Sequence, residues 1–231
     1  PRPRSDYADL LTRGVMMMFA GAAMQLVLAT IARGFYDASC APAGTLTLDA
    51  LTMPVACREV LRAYGYAAYL FFDFAGYSLM AMGLGRCFGI AVPANFRAPY
   101  IAVDIKDFWN RWHITLSTWL RDFVFMRFVR MATKRKLFSS RLQTACAAYM
   151  VDMALMGAWH GLTVDYLAYG IYHGVLLAVT EVYQKRSSFH KRHRKEGWYK
   201  VASWFVTLQL VVLGFALFSG QVSGLIAAAL G

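Results

Sequence analysis

The stretch VASWFVTLQLVVLGFALFSGQVSGLIAAALG, from Val201 to Gly231, runs for 31 residues without one Asp, Glu, Lys or Arg. A helix needs about 20 predominantly apolar residues to cross the hydrocarbon core of a bilayer, so this stretch belongs in a membrane. A second uncharged run, Gly14 to Ile31, is bounded by Arg13 and Arg33. The whole chain agrees with its two runs: 58% of its 231 residues are hydrophobic and 16% charged, which excludes secreted, disordered and cytosolic classes. The reading is an all-α, polytopic integral membrane protein.

Between those runs the pattern predicts further segments. Gly34 to Thr52 has turn-like density of Gly, Pro, Ser, Asp and Thr and is expected outside the bilayer, followed by a short amphipathic stretch to Leu61. Ala63 to Gly85, between Arg62 and Arg86, is long enough to cross but carries Asp73. Phe88 to Tyr100 contains Pro93, Asn95, Arg97 and Pro99 and predicts irregular backbone. Asp104 to Phe128 interleaves aromatic residues with Asp107, Arg111, His113, Arg121, Asp122 and Arg127, too polar a mixture to face lipid. These segments make one membrane domain over residues 1–231, with about four to six embedded helices.

The net charge of +11 lies in blocks between apolar spans, which argues for cytoplasmic loops and against nucleic-acid binding. Arg127 to Arg141 holds six basic residues in fifteen, and Lys185 to Lys200 holds seven plus His190 and His193. The residues between them then go out and return as a helical hairpin, with His160 near its turn. Both basic stretches also suit anionic lipid headgroups. Cys40, Cys57, Cys87 and Cys146 form no C-x-x-C pair, so neither a zinc site nor a disulfide framework is indicated. The opening Pro1-Arg2-Pro3-Arg4 reads like a loop entered partway, and a fragment is expected.

An ionisable side chain at membrane depth costs at least ~2.5 kcal/mol, so each is a functional candidate. They are Asp73, Asp152, His160 and His173. His160 stands between Gly157 and Gly161, which leave room for a backbone or substrate, and histidine exchanges protons near neutral pH. His173, beside Tyr172, is read as supplying packing and hydrogen bonds. Trp109, Trp112 and His113, at i, i+3 and i+4, share a helical face able to line a cavity. Asp122 pairs with Arg121, and Asp73 is expected to hold a backbone amide or an arginine of the irregular segment. There is no G-x-S-x-G elbow, Walker loop, H-E-x-x-H or dinucleotide fingerprint, and the histidines lack metal-ligand spacing.

Three motifs carry a resemblance: Phe72-Asp73-Phe74-Ala75-Gly76-Tyr77-Ser78, Asn95-Phe96-Arg97-Ala98-Pro99-Tyr100, and the run from Asp107 through Trp109-Asn110-Arg111-Trp112-His113 to Arg121-Asp122. With Trp159-His160-Gly161 they resemble the membrane-bound O-acyltransferases. The family's alginate-acetylating branch continues after Arg-Asp with a Tyr-Ile-Pro-Leu-Gly-Gly-Asn-like run. Here Phe123-Val124-Phe125-Met126 leads into a basic stretch, similar to the DltB branch, which serves D-alanyl transfer to teichoic acid. The resemblance implies an MBOAT-like bundle with interfacial or re-entrant helices around a central passage, the family's N-terminal helices being missing and the fragment inactive alone. It implies His160 as general base on the acceptor hydroxyl and His113 nearer the carrier side, binding or orienting a thioester. Trp159, Trp112, Arg111, Asp73 and His173 would line or support the passage. No bound cofactor is implied: the acyl donor rides on the phosphopantetheine of a separate D-alanyl carrier protein (DltC-like). Further implied partners are DltD-like and DltX-like proteins, a teichoic acid acceptor and membrane lipids, in the cell membrane of a Gram-positive bacterium. Two alternatives stay open, O-acetyl transfer to an exopolysaccharide and a non-enzymatic transporter or scaffold.

Overall fold

The computed structural model describes residues 4–40 and 55–230, and they are predominantly helical, with no strand among them. The chain separates into two compact units, Pro1–Asn95 and Phe96–Gly231. Among the described residues, three stretches are long and apolar enough to cross a membrane: Asp6–Cys40, Cys57–Cys87 and Gly197–Phe218. An all-α membrane protein is therefore the right fold class.

In the first unit, α1 (Arg4–Ala23) continues through a π-helical turn (Met24–Ala29) into α2 (Thr30–Cys40), and α3 (Val55–Cys87) packs antiparallel against them. Glycines spaced by seven residues set the approach. A Cβ on Gly14 would come within 2.7 Å of the Gly83 carbonyl oxygen, and one on Gly21 within 2.5 Å of that of Gly76. Small residues at such crossings let backbones meet where lipid offers no hydrophobic driving force. Of the loop expected from Gly34, the part up to Cys40 is helical. The helix runs on to Cys40, because Arg33 and Asp37 pair at 2.9 Å within it and Tyr36 packs against Tyr66 at 5.4 Å. Residues 41–52 of that prediction lie outside the described residues, and the amphipathic stretch and span expected to be separate form one helix, α3.

The second unit begins as predicted, with the irregular stretch entering a short 3-10 turn, Pro99–Ile101. Then come α4 (Ile105–Trp109), α5 (Ile114–Leu120), a π-helical turn (Arg121–Phe125) and α6 (Met126–Lys134). The hairpin follows as α7 (Arg141–His160) and α8 (Val164–Arg186), joined by residues 161–163. Short α9 (Ser188–His193) leads to α10 (Gly197–Phe218), and α11 (Gln221–Leu230) follows Gly220, whose φ is +76°. Both basic stretches expected as loops are therefore partly helical, in α6 and α9. Ser140, Thr163 and Ser187 cap α7, α8 and α9 by accepting the backbone N–H three residues on.

The hairpin packs through Gly157 and Gly170: a Cβ on the latter would sit 2.4 Å from the Met153 carbonyl oxygen. Its two helices are about 30 and 35 Å long at 1.5 Å per residue, enough to span. Their ionisable groups Asp152, His173 and Glu181 are buried, so charge in the sequence does not become charge facing lipid. α10 lies antiparallel on α8, with the Tyr172 hydroxyl donating to the Leu210 carbonyl at 2.9 Å. One end of this unit thus gathers the basic segments, and the opposite end holds the α7–α8 turn.

The segment from Asp104 to Lys134 makes an excursion between those ends. At the basic end Asp104 caps α4 through the Asp107 N–H (2.8 Å) and accepts from the Gln184 side chain (2.9 Å). Lys106 bonds the Gln184 oxygen (2.9 Å) and pairs with Glu181, which also binds Lys185 at 2.6 Å. Two turns of α8 further, Trp109 meets His173, and beyond it His113 reaches Trp159. The chain then returns, Phe125 packing on Tyr149 at 4.8 Å. This is a re-entrant hairpin with His113 near its apex.

Candidate functional site

At that apex the helix breaks. The spacing of Trp109, Trp112 and His113 predicted one continuous face, but the structure separates α4 from α5 across residues 110–113. The physical reason is a competing backbone bond. The Arg111 carbonyl accepts from Arg97 N–H at 3.0 Å, while the Arg111 side chain donates to Asp107 (2.7 Å) and to the Arg97 carbonyl (3.2 Å). Trp112 is thereby turned into the core against Phe96 (5.0 Å) and Phe215 (4.9 Å). His113 takes a left-handed conformation, φ +44°, and starts α5. Left-handed backbone costs a residue with a Cβ roughly 1–2 kcal/mol. Strain of this kind collects at functional sites.

His113 and His160 both pack against Trp159. The His113 ring lies 6.4 Å from Trp159 and that of His160 4.8 Å from it, both edge to face. Trp159 itself is 62% exposed, the histidines half-buried. The resemblance had put His113 toward the carrier side. The structure instead brings it level with His160 at the end away from the basic segments, because the re-entrant hairpin carries it there. Behind His160 stand Phe218 (5.0 Å), Tyr166 (6.0 Å) and Tyr169 (6.4 Å). The sequence reading did not single out those three rings. The i, i+3 repeat of Tyr166 and Tyr169 along α8 was the available signal, whereas Phe218 meets them only through the α8–α10 packing.

The glycines beside His160 divide in function. Gly157 is filled by the α8 backbone, a Cβ there meeting the Tyr166 carbonyl at 2.4 Å, so it serves helix packing and leaves no room for substrate. Gly161, at φ +153°, ends α7 in a conformation L residues rarely adopt and frees the turn after His160.

The remaining candidates separate. His173 is fully buried and Trp109 Nε1–H donates to its Nδ1 at 3.3 Å, which leaves the neutral ring's proton on Nε2. That Nε2 faces Gly214 and has no hydrogen-bond partner. Arg111 and Trp112 hold the apex as described. Asp73 lies in the first unit, where its partner is the Gln25 side chain in the π-helical turn, at 3.0 Å, rather than a backbone amide or an arginine. A π turn tilts the helix enough to aim one polar side chain sideways, and composition gives no sign of it. Arg121 and Asp122 pair at 2.9 Å as expected. Among the described residues no group of three metal-ligating side chains converges. The arrangement offers two imidazoles packed against one exposed indole, with tyrosines behind His160: groups able to move a proton and orient a hydroxyl.

Comparison with known proteins gives a consistent picture. The family model described as "MBOAT, membrane-bound O-acyltransferase family" matches residues 1–219. A teichoic acid D-alanyltransferase of Bacillus subtilis (strain 168) is 38% identical over 218 residues, 94% of this chain and 53% of that protein. One of Streptococcus thermophilus is 43% identical over 171 residues, 70% of this chain and 41% of that protein. A probable alginate O-acetylase of Pseudomonas syringae pv. tomato is 38% identical over 180 residues, 74% and 30% respectively. The chain spans about half the length of the curated D-alanyltransferases it matches.

Proposed function

The chain belongs to the membrane-bound O-acyltransferase family, and we propose that it serves to transfer a D-alanyl group from a carrier-protein thioester to a hydroxyl of teichoic acid, or first to one of a small partner protein. The observation that carries this reading is the packing of both His113 and His160 against exposed Trp159, at the end of the second unit opposite its basic segments. By the positive-inside rule the basic end is cytoplasmic and the histidines lie toward the outer face.

In this mechanism the His160 imidazole removes the acceptor hydroxyl's proton as the oxygen attacks the thioester carbonyl. Nearby donors steady the tetrahedral oxyanion, and its collapse breaks the C–S bond. The thiolate takes up the proton that His160 received, so the products are an ester and a free carrier thiol. His113, strained into the same layer, orients the thioester or the acceptor. The reading needs no resident cofactor, since the phosphopantetheine comes with the carrier. An acidic carrier suits the basic end, with its exposed Arg130, Arg135 and Lys136. The setting is the cell membrane of a Gram-positive bacterium, in line with the Bacillus and Streptococcus relatives.

The alginate O-acetylase relatives favour a second reading, acetyl transfer to an exopolysaccharide. Membranes holding the full-length parent, given either labelled D-alanyl carrier or a labelled acetyl donor, separate the two. D-alanyl ester formed in step with free carrier thiol supports the first; acetyl ester alone replaces it with the second. Solute movement without thiol release makes the protein a transporter.

A further inference from the structure

The proposed chemistry leaves the cytoplasmic end of α8 and the whole of α9 unused. An open groove of about 550 Å³ runs along α8, lined by Ala178, Val179, Val182 and Tyr183, with Arg186 and Ser187 at its end. It is apolar over about 8 Å of helix, from Ala178 to Tyr183, and becomes cationic at Arg186. Immediately beyond, Lys191, Arg192, Arg194 and Lys195 are all exposed. Set among those cations is an aromatic patch. Phe189 (51% exposed) and Trp198 (54% exposed) lie 6.1 Å apart, and each packs on His193, at 4.6 and 5.4 Å. The acid within this segment, Glu196, is engaged by the Trp198 indole N–H and by His193 at 2.9 Å, and those bonds, that of Trp198 foremost, hold its carboxyl below the usual carboxylate range.

We propose that the α8 groove and α9 together hold an anionic phospholipid of the cytoplasmic leaflet, one acyl chain along Ala178–Val182 and the phosphate against Arg186 and the α9 cations. Each part matches a part of that molecule. Basic residues near a leaflet surface attract anionic headgroups. Exposed Phe and Trp faces sit at headgroup depth, where a purely aqueous partner gives them nothing to bury against. An acidic protein would account for the cations but not for an apolar groove that continues from them along a membrane helix. Tyr183 ties the halves together, its hydroxyl accepting from Tyr199 at 3.2 Å, while Tyr199 also bonds His190 of α9 at 2.9 Å.

The test uses the full-length protein in nanodiscs containing either brominated phosphatidylglycerol or brominated phosphatidylcholine. The Trp198 fluorescence, isolated by subtracting a Trp198→Phe sample, is the readout. Quenching by the anionic lipid is expected to exceed that by phosphatidylcholine several-fold. The variant Arg186→Gln/Lys191→Gln/Arg192→Gln/Arg194→Gln should lose that preference by more than tenfold in lipid concentration. A groove-filling Val179→Trp, made on a background whose other tryptophan signals are subtracted, should release the same lipid with the cations intact. Equal quenching by both lipids overturns the proposal, as does a preference that survives the glutamine variant. If the glutamine variant keeps its lipid preference but no longer binds an acidic carrier, the surface belongs to the carrier. Should a variant not fold, lipid retained by the wild type is measured by native mass spectrometry, where phosphatidylglycerol no richer than in the surrounding bilayer contradicts the site.

Discussion

His113 holds two roles in one residue, a left-handed backbone joint and an imidazole against Trp159. They can be parted. His113→Gly removes strain of roughly 1–2 kcal/mol, offset by lost ring packing, so the melting temperature should move by only a few degrees. Acyl transfer should nonetheless fall at least tenfold, because the ring is gone from beside His160; a fully active glycine variant would reduce His113 to a structural joint. The residue types at this site were legible in the sequence: two histidines, each following a tryptophan, among apolar neighbours. Their meeting was not. It depends on the Arg97–Arg111 backbone bond that breaks α4 from α5, and no periodicity encodes a long-range hydrogen bond.

At the scale of elements, close helix crossings and one partly buried ion pair hold the site in place. A methyl added at Gly170 meets the Met153 carbonyl at 2.4 Å, so Gly170→Ala should cost about 1–3 kcal/mol by wedging α7 from α8. Gly197→Ala, where nothing lies within 4 Å, should leave the thermal midpoint within error. Equal melting of the two variants would remove the crossing from the account. Lys106 anchors the re-entrant hairpin to Glu181, whose side chain is 10% exposed. Lys106 is 24% exposed and Lys185 still pairs with Glu181, so Lys106→Met should cost about 1–2 kcal/mol, less than the about 3–5 kcal/mol of breaking a fully buried pair. Lys106→Met/Glu181→Met should recover most of the loss, whereas additive losses in a double-mutant cycle would mean the two do not interact. The hairpin of α7 and α8 was readable from the charge blocks at its open end. The helical continuation past Gly34 was not, because a local i, i+4 ion pair outweighed a composition typical of turns. α6 and α9 were hidden for a similar reason, since basic residues fit a loop and an interfacial helix equally well.

For the whole molecule, the account requires the α7–α8 turn and α9 on opposite sides of the membrane. With the four native cysteines replaced, Leu162→Cys, at a position 83% exposed, should react with an impermeant maleimide added outside intact cells. Lys191→Cys should react only after the cells are opened. Labelling of both from outside would rule out the orientation taken from the basic segments. The claim on which everything else depends is that His160 is the base of an acyl transfer. It is tested most directly in membranes of the full-length parent supplied with carrier protein bearing labelled D-alanine, comparing wild type with His160→Ala for labelled ester and free carrier thiol. The account predicts ester and thiol appearing together in the wild type and a fall of about 10²- to 10⁴-fold in the variant, with carrier binding retained. A His160→Ala variant keeping half the wild-type rate would contradict it.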